Sequence, residues 1–194
     1  MLRGKTPRTA SRIALFTRLP IDEMSYHTMP LKRSFPPIAN KEIKLLILGS
    51  LPGERSLAQG QYYAHPQNKF WELVGGVIGT DLRALPYEAR LQTLLSNGIG
   101  LWDVIAKAER KGSLDAAIRN ESHNPLAHFL ESLPHLKVIA FNGGTSARIG
   151  RKQLQQHDSS LILINLPSSS PAYTLALAHK QTAWSQLTTF LSPR

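Results

Sequence analysis

Residues 45–71 read LLILGSLPGERSLAQGQYYAHPQNKFW. The apolar run Lys44–Leu48 closes on Gly49 and has the length and composition of a strand buried on both faces. Gly49, Pro52 and Gly53 then enforce a turn, and Glu54 to Ala58 can open a helix. Beyond Gly60 the chain turns aromatic and amide-rich, with Tyr62, Tyr63, His65, Asn68, Phe70 and Trp71 within ten residues. Ligands of open α/β sheets bind outside the carboxyl ends of the strands, so a site is expected here.

Outward from this stretch the same alternation repeats. Asn68–Ile78 and Glu88–Ser96 carry apolar residues at helical spacing, the second ending on Asn97-Gly98. GLWDV (100–104), KVIAF (137–141) and LILI (161–164) read as three further strands. Ser113–Ile118 and Pro125–Leu133 read as loop and helix, a helix follows from Thr145, and His179–Leu191 reads as the last helix. Strands alternating with helices predict an α/β protein, a three-layer α/β/α sandwich around a mainly parallel four-stranded sheet. Residues 1–40 show no hydrophobic period and hold five prolines, so they are expected to form an irregular basic arm, with 41–194 as the domain proper. The arginine-rich start has a transit peptide's composition, which Asp22 and Glu23 weaken. A start at Met24 or Met29 is the preferred reading.

The chain has 194 residues, enough for one domain with a substantial core. Its 42% hydrophobic and 19% charged content is that of an ordinary globular protein, and no run approaches the ~18 apolar residues of a membrane span. The absence of cysteine excludes disulfides, thiolate metal sites and a cysteine nucleophile, and fits a cytoplasmic protein. The net charge of +10 favours polyanions as partners; residues 1–33 contribute seven basic and two acidic side chains to it.

GSLPG, with Tyr63 and AHPQNKFW following, resembles the first motif of the uracil-DNA glycosylase superfamily. It is most similar to the mismatch-specific branch, Gly-Ile-Asn-Pro-Gly followed by Phe-Ala-His-Pro-x-Asn-Arg-Phe-Trp. LPSSSPAY (166–173) is similar to the superfamily's second motif, a Pro-Ser-rich loop after the last strand. Two departures narrow the resemblance. Leu51 stands where the mismatch-specific branch has a water-activating asparagine, and Leu166 where histidine or asparagine often opens the second motif. No acidic residue replaces the asparagine; Glu54, three positions on, reads as a first-turn helix charge. The combination looks like the hypoxanthine-DNA (deoxyinosine) glycosylase branch. The resemblance implies a DNA-repair enzyme of base excision that flips out a deaminated base, hypoxanthine foremost, and hydrolyses its N-glycosidic bond.

On that reading Tyr63 stacks on the flipped base. Asn68 positions water or binds the base, since an amide both donates and accepts; the same residue type is also a common helix N-cap. His65 protonates a purine nitrogen or shapes the loop before Pro66. Gly49, Ser50 and Leu51 bound the base pocket, and Asn142 reads the base edge or holds a neighbouring loop. Pro167, Ser168, Ser169 and Ser170 contact DNA phosphate, and Ser170, Pro171 or Tyr173 fills the gap left by the base. Lys69, Arg148 and Lys180 are further candidates for phosphate. Trp71 and Trp102 read as core. His123 and His128 do not share a helix face, so no metal is expected; nor is any cofactor or membrane contact. A monomer is expected. The rival readings are a damaged-DNA binder without activity, and a nucleotide-binding enzyme using Asn142-Gly143-Gly144-Thr145, which lacks the full glycine pattern of such sites.

Overall fold

The computed structural model describes residue 1, residues 29–155 and residues 160–191. Most of the basic arm, residues 2–28, thus lies outside the described residues. In chain order the elements are β1 (Leu31–Arg33), β2 (Leu45–Gly49), α1 (Glu54–Gln59), α2 (Phe70–Ile78) and α3 (Tyr87–Ser96). There follow β3 (Ile99–Asp103), β4 (Ile105–Glu109), β5 (Arg119–His123), α4 (Leu126–Leu130) and β6 (Val138–Asn142). The chain closes with α5 (Gly144–Leu154), β7 (Ile162–Leu166), α6 (Leu177–Ser185) and α7 (Thr188–Leu191).

The central sheet has the order β3-β2-β6-β7, and every neighbouring pair is parallel. All five residues of β2, β3 and β6 are buried, which is why these strands read as continuous apolar runs rather than alternating ones. Successive side chains point to opposite faces, so two cores form. Leu45, Ile47, Leu101 and Ala140 pack with Phe70, Trp71, Leu94 and Trp184 of α2, α3 and α6. Leu46, Leu48, Ile139 and Phe141 pack on the other side with Leu126, Leu130, Ile149 and Leu154 of α4 and α5. These are the expected three layers. The register sets Gly49 beside Asp103 and Asn142 beside Leu166, so all four strands end together at one edge.

Three features correct the sequence reading. A second sheet, antiparallel in the order β1-β4-β5, stands beside the first. Its strand β1 falls in the stretch expected to be irregular, where Ile38 also bridges to Leu101. Strand β5, Arg-Asn-Glu-Ser-His, has no β-branched or aromatic residue, and is held by pairing with β4 rather than by strand propensity. Finally, the expected helix His179–Leu191 is two helices. The Leu187 N–H bonds the Trp184 carbonyl and the Phe190 N–H bonds the Leu187 carbonyl, a tightening to i,i+3 bonds that lets both Trp184 and Leu187 be fully buried.

Candidate active site

The carboxyl ends of β2, β3 and β6 and the loop after β7 enclose a cleft of about 460 Å³. Its first wall is the Gly49–Gly53 turn. A side chain on Gly49 would collide with the Asp103 carboxylate and come within 3.0 Å of the Tyr63 hydroxyl, so only glycine lets these groups approach. The turn's carbonyls face the protein. Gly49 O accepts from Val104 N at 3.0 Å and Ser50 O from Ile105 N at 3.1 Å. The carbonyls of Leu51 and Pro52 accept from Arg110, whose side chain is 0% exposed and lies 3.8 Å from Asp115. The Ser50 hydroxyl donates to the same Asp115 at 2.8 Å. Ser50 and Leu51 thus border the cleft, but their carbonyls are committed elsewhere, and Leu51 is buried in the core.

Tyr63 takes the left-handed backbone conformation, φ 54°, which a bulky residue adopts only when its surroundings hold it there. Packing supplies the hold. Its ring lies on Phe70 with centroids 3.7 Å apart and planes at 11°. The preceding Tyr62 is pinned through its N–H to the Tyr87 hydroxyl at 2.9 Å, and through its own hydroxyl to the Pro36 carbonyl at 3.2 Å. The Tyr63 hydroxyl is buried and makes no hydrogen bond among the described residues. Burial, then the charge of Asp103, pushes its ionisation well above the usual range, with nearby Asn142 partly offsetting the rise.

Asn68 and His65 both border the cleft. Asn68 Oδ1 accepts from Phe70 N at 3.0 Å, so the side chain covers an otherwise orphaned donor at the start of α2. Its Nδ2 makes no hydrogen bond among the described residues, and an amide oxygen can take a second partner. The N-cap itself is Lys69, so Asn68 braces the first turn from one position before it, and capacity for a ligand remains. His65 is turned into its own loop: Nδ1 accepts from Gln67 N at 3.2 Å, and its carbonyl accepts from Asn68 N at 2.8 Å.

Asn142 holds the loop after β7. Its Nδ2 donates to Ser169 Oγ at 2.9 Å and its Oδ1 accepts from Ser169 N at 2.8 Å, a two-point clamp in which both side chains are buried. Of its two readings the structural one is seen. Gly143, at φ 104°, brings the β6–α5 turn against Ser168, where a Cβ would stand 3.1 Å from the serine Cβ. The loop is tied at every step: Pro167 O accepts from Trp184 Nε1 at 3.0 Å, Ser169 O from Lys69 N at 3.0 Å, and Ser168 Oγ from Ser170 N at 3.2 Å. Lys180, only 3% exposed, donates to the Tyr173 carbonyl at 2.7 Å and the Ser170 carbonyl at 3.4 Å. It braces the loop and is not presented to a phosphate. Lys69 pairs with Glu72 at 3.0 Å, and Arg148 is exposed on α5. Pro171 and Tyr173 lie on the exposed rim.

Sequence reasoning missed Asp103, the last residue of β3 and 4% exposed on the cleft floor. Its carboxyl is pushed up to about 7, first by burial, then by Asp115, with Arg110 opposing. The signal was a lone acid closing the otherwise apolar run Ile-Gly-Leu-Trp at the ligand end of a parallel strand. Arg110 and Asp115 were also missed, and they carry no comparable pattern. Glu54 pairs with the buried Lys32 at 3.0 Å, away from the cleft floor.

A family model described as "Uracil DNA glycosylase superfamily" matches residues 36–188. Among curated proteins, the hypoxanthine DNA glycosylase of Methanosarcina barkeri is 38% identical over 155 residues, 80% of this chain and 96% of that protein. The hypoxanthine DNA glycosylase of Methanosarcina acetivorans is 38% identical over 154 residues, 79% of this chain and 96% of that protein. The solution NMR structure of a candidate uracil DNA glycosylase from M. acetivorans is 37% identical, with a TM-score of 0.75 over 84% of this chain and 99% of that one.

Proposed function

This chain belongs to the uracil DNA glycosylase superfamily, and on that premise we propose that it is a monofunctional DNA glycosylase that excises hypoxanthine. The observation that carries the reading is Tyr63, whose strained backbone and stacked ring offer a fixed aromatic face in a cleft at the strand ends. A base can reach such a cleft only by leaving the duplex, and stacking then replaces part of what it loses. The bond from sugar C1′ to purine N9 breaks with its electron pair leaving on the base. Water adds its oxygen to C1′, and a water proton ends on the purine.

Asn68 orients that water through the open lone pair of Oδ1 and through Nδ2, while the Phe70 N–H keeps the amide in place. An amide is no strong base, so the rate comes from positioning and from stabilising charge in the sugar and the base. His65 shapes the loop that presents Asn68. Ser168 and Ser170 offer the late loop to backbone phosphate, with Ser169 and Pro167 fixing its shape. Tyr173, 48% exposed at the rim, fills the gap in the duplex. Lys180 and Lys69 are both engaged, so Schiff-base strand cleavage is not expected.

Residues 41–194 form the glycosylase domain on this reading, and residues 29–40 brace it. A monomer is part of the same proposal. Among the described residues no helix is long and apolar enough to cross a membrane. A cytoplasmic site of action is also part of the proposal. The test is a duplex carrying a single deoxyinosine. Abasic sites that break only on alkaline treatment are the expected product; strand cleavage without alkali, or an intact glycosidic bond at excess enzyme, would contradict the proposal.

A further inference from the structure

Two buried polar atoms on the cleft floor, Asp103 Oδ2 and the Tyr63 hydroxyl, make no hydrogen bond among the described residues. Both groups crowd Gly49, and Asp103 borders the same cleft as Tyr63 and Asn68. Unsatisfied buried polar groups are rare in folded proteins and call for an explanation, a catalytic or ligand-binding role among them. The neighbouring polar groups are largely engaged: Asn142 on Ser169, Ser50 on Asp115, and the Arg110 Nη atoms on the first turn, with Arg110 Nε buried and unpartnered among the described residues. Asp103 borders the cleft with its Oδ2 unpaired among the described residues.

We propose that Asp103 is a further catalytic residue, a neutral carboxyl that donates a hydrogen bond to the oxo group of the flipped purine and stabilises the charge the base carries away. The inference rests on the glycosylase reading and specifies what that cleft recognises. Hypoxanthine presents a carbonyl acceptor beside an N–H donor. A neutral carboxyl offers one donor and one acceptor and can meet that edge with two hydrogen bonds, whereas a carboxylate only accepts. As the C1′–N9 bond breaks, the departing electron pair spreads onto the oxo group. A hydrogen bond donated there is stronger in the transition state than in the bound substrate, which is the condition for accelerating the step. The proton remains on Asp103 throughout; water alone supplies the atoms that reach C1′.

The groups facing Asp103 suit this state. Asp115 lies on the loop opposite, Arg110 at the end of β4 is drawn to Asp115 and to the turn carbonyls, and the hydroxyls of Tyr62 and Tyr63 carry no charge near neutrality. Burial is the largest influence, and the carboxyl stays protonated to about pH 7.

The experiment is single-turnover hypoxanthine release from a deoxyinosine duplex at saturating enzyme between pH 5.5 and 9, for wild type, Asp103→Asn and Asp103→Ala, with thermal melting of each. Titration of the DNA is common to all three. Wild type should lose rate by about tenfold per pH unit above the carboxyl's ionisation. Asp103→Asn, which keeps a donor at every pH, should stay within about tenfold of wild type at pH 6 and show no falling limb. Asp103→Ala should melt cooperatively yet lose 100-fold or more at pH 6. A wild-type profile without that limb, the same limb in Asp103→Asn, a folded Asp103→Asn inactive at every pH, or a fully active Asp103→Ala would each overturn the proposal. Absence of any release by wild type would instead overturn the glycosylase reading, and this inference with it.

Discussion

At the scale of single residues the site combines groups that serve the fold and groups that the fold leaves unserved. Asn68 braces the start of α2 and Asn142 clamps a loop, whereas the Tyr63 hydroxyl and Asp103 Oδ2 have no partner among the described residues. Tyr63 allows the two roles of one side chain to be separated. Tyr63→Phe removes the unsatisfied hydroxyl and keeps the ring, so its melting temperature should equal or exceed that of wild type, with release retained. Tyr63→Ala removes the stacking face, and kcat/KM for hypoxanthine release should fall by about 10–100-fold, the worth of one base–aromatic stack. Tyr63 and Asn68 were legible because they sit inside a motif with fixed spacing. Asp103 was overlooked: its one local sign is the acid closing an apolar run, and its place beside the first motif comes only through sheet register, Gly49 beside Asp103.

At the scale of elements, the strands of the parallel sheet were legible because burial on both faces demands unbroken apolar runs. The antiparallel sheet was not: Arg119–His123 is polar along its length and takes its conformation from β4. Yet this sheet matters to the cleft, since Arg110 follows β4 and its guanidinium holds the carbonyls of Leu51 and Pro52. The late loop is the second element on which the site depends. Asn142→Ala would remove both bonds to Ser169 and leave buried partners unpaired, a loss of about 2–3 kcal/mol. That corresponds to a melting temperature lower by roughly 5–10 °C for a chain of this size. Release should weaken mainly through KM, because the loop we assign to DNA contact loses its anchor; an unchanged melting temperature would contradict the clamp.

At the scale of the molecule, a titratable carboxyl on the cleft floor has consequences for folding as well as for chemistry. The Asp103 carboxyl, raised from its ordinary 3.8 to about 7, binds its proton more tightly in the folded chain than in the unfolded one. Its unfavourable contribution is therefore absent below about pH 4, grows as pH rises from 4 to 7, and is level above that. Asp103→Asn should match wild type in thermal stability near pH 4 and exceed it at pH 8, by up to ~4 kcal/mol. A stability difference that does not grow over this interval would contradict a buried, proton-holding Asp103. The sequence's basic balance and its two motifs pointed to a DNA-directed α/β enzyme; the cleft adds which groups border it and which are consumed in shaping it. The most direct test of the whole account is single-turnover release of hypoxanthine by wild type and Asn68→Ala, alongside binding to a duplex with a non-cleavable abasic analogue. The account predicts release by wild type, a loss of 100-fold or more in Asn68→Ala, and similar binding by both. Equal release by the two proteins would remove Asn68 from the mechanism, and release by neither would contradict the enzyme itself.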